Sequence, residues 1–522
     1  MQLHRIPLAD TNAFSNFFTD YIGGQDQLKP FYGQFPEPGN FKAQLKAKSA
    51  SFSQQNRDVL VNSLLKQYGK LKITEAVSTN LGLLKDSKTF TITTGHQLNI
   101  FTGPLFFIYK IVAVINACKK LKQLHPDHNF VPVFWMASED HDYEEIRSFS
   151  LYGKKHTWQT DQSGAVGRFN PKSIEKLFSE IPGEIDIFRD AYLKNATLAA
   201  ACRHYVNEIF GNEGLVIIDG DDAQLKALFK PVIREDVLKQ TPKGLVEEKN
   251  KQLTDLGYHV QVFVRDINFF YLDNGVRARI EKHNDEFVVV DTNIKFSQKQ
   301  IEELIELNPE KFSPNVILRP VYQEVILPNL AYVGGPAEMI YWLQLKGIFD
   351  NYKLPFPILL PRTFALYIEK QHLEKWTKTD LDIADLFKEK NYLFNHWMLK
   401  NTHHNLTLGE ELKSLETMMD DIRKRAGQID STLGPLVSAE TKRISKGVEK
   451  IERKMLKAEK RLHKEKLGQI EAVKDALFPK GGLQERVENY LTFAQKDPFF
   501  VSKMIDTLDP FDFSFKVICS DD

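Results

Sequence analysis

Residues 93–146 constrain this chain more than any other stretch: TTGHQLNIFTGPLFFIYKIVAVINACKKL, a short linker, then FVPVFWMASEDHDYEEI. The pattern predicts strand, polar turn, apolar helix, strand and acidic turn. That is one βαβ unit, and its right-handed crossover puts both turns at the same sheet edge. The first strand covers residues 89–94, the helix starts at Thr102-Gly103-Pro104 and runs to about Lys122, and the second strand covers residues 131–137. Thr can cap a helix and Pro is tolerated at its first position, which sets the helix start.

The same grammar recurs downstream. Residues 215–218 lead into Asp219-Gly220-Asp221-Asp222, residues 330–333 into Gly334-Gly335-Pro336, and residues 356–360 into Pro361-Arg362-Thr363. Five apolar strands, each ending in Gly, Pro or charge, predict an α/β fold. The expected core is a Rossmann-like doubly wound parallel sheet with its ligand crevice beyond the carboxyl ends of the strands.

A chain of 522 residues exceeds one ordinary core and suggests about three domains. Residues 1–148 read as a helical lead-in plus the first Rossmann half, 149–212 as a first insertion and 213–242 as a core segment. Residues 243–309 read as a β-rich second insertion, with strands at 258–265, 269–272, 276–280 and 287–290. Asn274-Gly275 is its hairpin signal. The second Rossmann half takes 310–375, a helical coiled coil 376–480, and a C-terminal segment packing on the core 481–522.

The coiled coil rests on a heptad seam: Leu408, Leu412, Leu415, Met419, Ile422, Ala426, Ile429, Leu433 and Leu436 alternate at spacings of four and three. Gly434-Pro435 is expected to break it. A second seam follows at Ile444, Val448, Ile451, Met455, Ala458 and Leu462. An antiparallel helical hairpin or a surface for a second subunit would explain both seams.

Charge excludes some partners. With 69 basic and 69 acidic side chains the net charge is zero, which gives no global attraction to nucleic acid or anionic membrane. Residues 100–118 carry Pro104 and Lys110 and fall short of the ~20 apolar residues of a membrane span. Cys118, Cys202 and Cys519 are odd in number and contain no CxxC. A reducing cytoplasm is therefore expected, and neither a disulfide framework nor a zinc ribbon is.

Candidate chemistry gathers at the strand ends. His96 follows the first strand, where the free N–H groups of the next helix would accept an anion; it could instead bond only its own turn. Glu139, Asp140, His141 and Asp142 place three carboxylates and an imidazole in four residues, which must face solvent or line a site. They could serve as Mg²⁺ ligands, a general base and an orienting acceptor, or remain a solvated turn. Gly334-Gly335 suits close phosphate approach but equally a tight turn. Arg319 and Arg362 could clamp carboxylates bidentately or form ordinary ion pairs, and Tyr322 and Glu324 would share that wall.

In combination, TGHQLNIFTGPLFFIYK, PVFWMASEDHDYEEI, LRPVYQEVILPNLAYVGGPAE and PILLPR, followed by the coiled coil, resemble the cysteine ligase family BshC of bacillithiol biosynthesis over nearly the whole chain. The resemblance implies a Rossmann core like that of class I aminoacyl-tRNA synthetases, with inserted connecting-peptide domains and a coiled-coil homodimer. It implies a ligase that joins cysteine to the glucosamine amine of glucosaminyl malate, with ATP as co-substrate, Mg²⁺ as a candidate ion, and neither nucleic acid nor membrane as partner.

On that reading His96, Asp140 and His141 are the catalytic candidates. Gln97, Asn99, Glu139, Asp142, Arg319, Tyr322 and Arg362 are assigned to substrate, and Gly95, Thr102, Gly103, Gly334 and Gly335 to nucleotide. His96 stands where the class I HxGH signature begins, but the sequence continues Gln97-Leu98-Asn99, and no KMSKS-like loop follows. Those departures motivate a second reading, a nucleotide-binding scaffold or regulatory protein with a degenerate ligase-like core. A third, metal-dependent hydrolysis, would centre on residues 138–142.

Overall fold

The computed structural model describes residues 1–402 and 404–521. Five strands, β1 (Thr89–His96), β2 (Asn129–Met136), β3 (Val216–Asp219), β4 (Asn329–Gly334) and β5 (Ile358–Pro361), form one sheet. Their order is β5-β4-β1-β2-β3, and every neighbouring pair is parallel. The winding therefore reverses between β1 and β4, the doubly wound arrangement whose crevice opens at the carboxyl ends of those two strands.

All five strands are almost entirely buried, as covered parallel strands must be. The threonines of β1 tolerate this because their hydroxyls are bonded, as buried polar groups need to be. Thr91 and Thr93 donate to Asn329 Oδ1 (3.2 and 2.8 Å), and Thr94 donates to the Val333 carbonyl (2.8 Å).

Helix α1 (Phe106–Leu124) makes the first crossover and buries Val114, Ala117 and Leu121 against Phe90, Ile92 and Val333. Helix α2 (Ala223–Arg234) follows β3, α3 (Arg319–Ile326) precedes β4, and α4 (Pro336–Leu343) links β4 to β5.

Both insertions lie in the same unit as the sheet, residues 7–365 and 483–516. The first contains the hairpin Ser148–Leu151 with Lys154–Thr157, then helices Asp186–Lys194 and Leu198–Phe210. The second is a five-stranded antiparallel sheet ordered Lys295–Ser297, Glu286–Val289, Val276–His283, Phe269–Asp273 and Phe312–Pro314. Gly275 supplies the positive φ of 70° in the two-residue turn between Asp273 and Val276, a conformation glycine adopts without steric cost.

Two features of this insertion differ from the sequence expectation. Thr241–Asp255 is a helix. Residues 258–265 are not a strand, because their backbone bonds a side chain instead of a ladder: Gln344 accepts from the Gln261 and Val262 N–H groups and donates to the Val262 carbonyl.

The second unit comprises residues 1–6, 366–482 and the chain from Val517. Gln2–Ile6 and the greater part of Phe364–Ile368 and Phe515–Cys519 belong to it, three strands of one sheet with Phe515–Cys519 in the middle. The strand Gln2–Ile6 precedes the helices of the expected helical lead-in, and Phe364–Ile368 lies outside the Rossmann sheet.

In this unit α5 (Gly409–Ile429) and α6 (Leu433–Leu462) form an antiparallel hairpin turned by residues 430–432. Gly434-Pro435 lies inside the first turn of α6, where proline costs little, so it does not break the helix. Among the described residues no helix is long and apolar enough to cross a membrane.

Candidate active site

A cavity of about 380 Å³ opens at the carboxyl ends of β1 and β2. Its size is that of a small-molecule site. Gly95 and His96 of β1 contribute to its floor, and a side chain at Gly95 would bring a Cβ within 3.3 Å of the Tyr332 hydroxyl. Lys110, on the first turns of α1, is buried beneath them. Its ammonium donates to the Gly95 carbonyl at 2.9 Å and lies 2.5 Å from Glu338 Oε2.

Glu338 is the third residue of α4, so its side chain folds back onto the backbone at the helix start. It accepts from the Gly335 N–H (2.8 Å), and Tyr332 also donates to it (2.7 Å). Burial raises the Glu338 carboxyl, but Lys110 and these donors outweigh it and hold the group below the usual range.

His96 packs against Phe106 and Phe107, and its Nε2 is buried without a partner among the described residues. Burial, with Lys110 close by, lowers its pKa to about 3. The imidazole is therefore neutral at physiological pH and offers a hydrogen-bonding group without charge.

The acidic turn after β2 is held by the second insertion. Arg277, from strand Val276–His283, stacks over Phe270 at 4.0 Å and donates to Asp140 Oδ1 (3.1 Å) and His141 Nδ1 (2.6 Å). Gln97 donates to Asp140 Oδ2 at 2.7 Å. Burial raises the Asp140 carboxyl, yet the His141 hydrogen bond, the Arg277 guanidinium and Gln97 outweigh it, and the group lies well below the carboxylate range. Asp140 is thus a fixed anion. Glu139 is buried with Lys226 Nζ at 2.5 Å, a cation supplied by α2.

Arg319 begins α3 and lies among the rings of Trp135, Tyr332 and Trp342, at 5.7, 5.3 and 5.8 Å. Nη1 donates to Gln323 (3.1 Å), while Nη2 is buried and meets no hydrogen-bond partner of good geometry among the described residues, although the Tyr341 hydroxyl interacts with the guanidinium. A desolvated guanidinium edge left unbonded in a cavity is costly unless a ligand completes it. A carboxylate or phosphate oxygen has the required charge and geometry.

His96, Gln97, Gly95, Glu139, Asp140 and Arg319 thus come together at one cavity. The other sequence candidates do not line it. His141 is exposed beside Arg277, and Asp142 caps the short helix Tyr143–Ile146 by accepting from the Glu145 N–H. Asn99 donates to the Glu145 carbonyl. Thr102 and Gly103 belong to a turn covered by the C-terminal segment: Asn489 donates to the Phe101 and Gly103 carbonyls, and the Leu105 N–H is taken by the Glu488 carbonyl at 2.7 Å. The anion cradle expected at that helix start is therefore closed by protein. Gly103 has φ +64°, and a Cβ there would lie 2.5 Å from that of Asn99.

Tyr322 is a core residue donating to the Gly220 carbonyl, and Glu324 is sealed in a buried pair with Lys48. Arg362 does make a bidentate carboxylate clamp, but on the chain's own Glu485 (3.0 and 2.6 Å). Gly334 and Gly335 form the turn into α4, and the Gly335 N–H is occupied by Glu338.

Sequence reasoning missed Lys110, Arg277, Glu338 and Glu145 as parts of the site. Lys110 left a signal, since a lysine within an apolar helix needs a buried counter-charge. Arg277 left none: it sits in an ordinary hairpin, and only the tertiary fold carries it to Asp140.

Comparison with known proteins agrees with this architecture. Residues 1–363 match the family described as bacillithiol biosynthesis BshC, N-terminal Rossmann-like domain, and residues 365–520 match its C-terminal coiled-coil domain. The chain is 41% identical over 517 residues to a protein of Flavobacterium psychrophilum named "Putative cysteine ligase BshC", covering 97% of each. Proteins of the same name from Cytophaga hutchinsonii and Flavobacterium johnsoniae are 39% and 40% identical, covering 99% and 97% of both chains. With both halves matched in order and near full-length similarity, the chain belongs to the BshC family of bacillithiol biosynthesis.

Proposed function

We propose that this protein is a carbon–nitrogen ligase that joins the carboxylate of L-cysteine to the glucosamine amine of glucosaminyl malate, with ATP activating the carboxylate. The observation that carries the reading is the separation of charge within one cavity. Arg319 offers a guanidinium edge suited to a carboxylate, while Glu145, the one lining carboxylate without an ion pair among the described residues, is suited to an ammonium; Glu139, Asp140 and Glu338 are each paired with a cation of the protein. A ligase for these substrates must hold both kinds of group together. The names of the relatives support the same assignment. Mg²⁺ would enter with the phosphates of the nucleotide, and neutral His96 would donate to or accept from the activated carboxyl without adding charge.

The test is direct. Purified protein is incubated with ATP, Mg²⁺, cysteine and glucosaminyl malate, and the amide and the nucleotide product are followed by mass spectrometry. Arg319→Met is expected to raise the KM of a carboxylate substrate roughly 10–100-fold, the value of one charge-assisted hydrogen bond. Absence of amide from the wild-type protein overturns the reading. We assign the enzyme to the cytoplasm as a homodimer paired through the coiled coil, a state supported by the exposed apolar residues Ile444, Ile451 and Leu462 on α6.

A further inference from the structure

Four carboxylates line the cavity, and three are already neutralised. Glu139 has Lys226 at 2.5 Å, Asp140 has Arg277 at 3.1 Å, and Glu338 has Lys110 at 2.5 Å. Glu145 is different. Its main chain is clamped on both sides, the N–H donating to Asp142 Oδ1 (3.1 Å) and the carbonyl accepting from Asn99 Nδ2 (2.9 Å). Its side chain, in contrast, has no hydrogen-bond or ion-pair partner among the described residues. The nearby Arg147 is engaged by Glu144 at 2.7 Å.

We infer that Glu145 is the general base that takes the proton from the substrate's ammonium, an inference that rests on the ligase reading above. A side chain with a fixed backbone, a free carboxylate and access to the cavity mouth is placed to meet a cationic amine and is tied to no competing cation.

The surroundings suit the role. Glu145 is exposed, but desolvation beside the cavity wall and the like charges of Asp142, Asp140 and Glu338 raise its pKa, and Lys110 opposes them. A carboxylate so raised is a stronger base than an ordinary glutamate, and rate contributions of this kind follow basicity.

In the proposed step the ammonium gives one proton to Glu145. The freed nitrogen lone pair attacks the cysteine carboxyl carbon, activated as its mixed anhydride with a phosphate of the nucleoside triphosphate. The C–N bond forms, the bond from carbon to the phosphate-bearing oxygen breaks with its electron pair, and the second N–H proton passes to water.

The full-length protein tests this with two acceptors, glucosaminyl malate and hydroxylamine. Hydroxylamine is largely unprotonated at neutral pH, so it captures the activated carboxyl without a base. Glu145→Gln is expected to lower kcat for the amide by roughly 10²–10⁴-fold, to leave hydroxamate formation and the melting temperature unchanged, and to be partly rescued by Glu145→Asp. In the wild type, amide formation should decline as pH falls through the raised carboxylate pKa, and that limb should vanish in Glu145→Gln.

Wild-type amide kinetics in Glu145→Gln overturn the inference while leaving the ligase reading standing. Equal loss of amide and hydroxamate also overturns it, because the residue would then serve activation or folding. A wild-type protein that forms neither product overturns the ligase reading, and the base with it.

Discussion

Lys110 Nζ lies 2.5 Å from Glu338 Oε2, joining the crossover helix after β1 to the helix that follows β4. These are the two strands between which the winding reverses, so the pair ties the halves of the sheet together directly under the cavity. Glu338→Gln would leave the buried Lys110 ammonium without its charge partner, facing the neutral Gly95 carbonyl and a neutral amide. The expected loss is roughly 3 kcal/mol, at the low end for a broken buried pair. The low end applies because the Glu338 side chain stays 27% exposed. Urea denaturation checks this, and the double variant Lys110→Met/Glu338→Gln should recover most of the loss. An unchanged midpoint for Glu338→Gln would show that the pair contributes nothing.

His96 provides a second test, because its environment disfavours the proton. Its folded pKa, about 3, lies below the ordinary 6.5, so the native state binds fewer protons than the unfolded chain between those values. Stability from this group is complete above pH 6.5 and declines as pH falls towards 3. In ¹⁵N-edited NMR spectra of the native protein, the imidazole signal that disappears in His96→Gln should not shift between about pH 5 and 8, the span in which an unperturbed histidine titrates. A titration centred near 6.5 would refute the neutral assignment and reopen a cationic role at the end of β1.

The Arg362 and Glu485 side chains are both buried, and the carboxylate also accepts from the Ala365 N–H. Glu485→Gln strips the guanidinium of its charge partner and is expected to cost about 3–5 kcal/mol in denaturant unfolding. Below its unfolding range the variant should keep the KM values of the wild type, in contrast to Arg319→Met. A KM defect without a stability defect would return Arg362 to the substrate and remove its structural assignment.

The contrast between Arg319 and Arg362 marks how far the sequence is legible. All five strands of the parallel sheet can be read from apolar runs ending in Gly, Pro or charge, because burial on both faces leaves that imprint locally. The positions of His96, Gln97, Glu139 and Asp140 at one sheet edge follow from the handedness of a single crossover. The two arginines look alike in sequence, each near a Pro and a strand end. Which one meets the cavity and which meets Glu485, 123 positions away, is decided by tertiary packing. Arg277 and Glu145 are decided in the same way: their roles depend on the hairpin that approaches Asp140 and on which carboxylates the cations leave free. Likewise the second heptad seam marks the apolar residues of α6, but not which of them the hairpin itself covers.

On α6, Val448 and Met455 are half-buried in the hairpin, whereas Ile444, Ile451 and Leu462 are 41, 55 and 74% exposed, and Ala458 is exposed with them. A single antiparallel partner covers one narrow face of a helix, so α5 cannot shield both rows. Positions 444, 451 and 458 repeat at seven residues, the spacing that packs against a second helix, and a second copy of this chain supplies one of equal length. Ile444→Glu/Ile451→Glu is therefore expected to convert a dimer to a monomer in light scattering, with the helical circular dichroism unchanged because both side chains are on the exposed side of the hairpin. Retention of the dimer by the variant would move the interface elsewhere, and a monomeric wild-type protein would remove the proposal of a homodimer altogether.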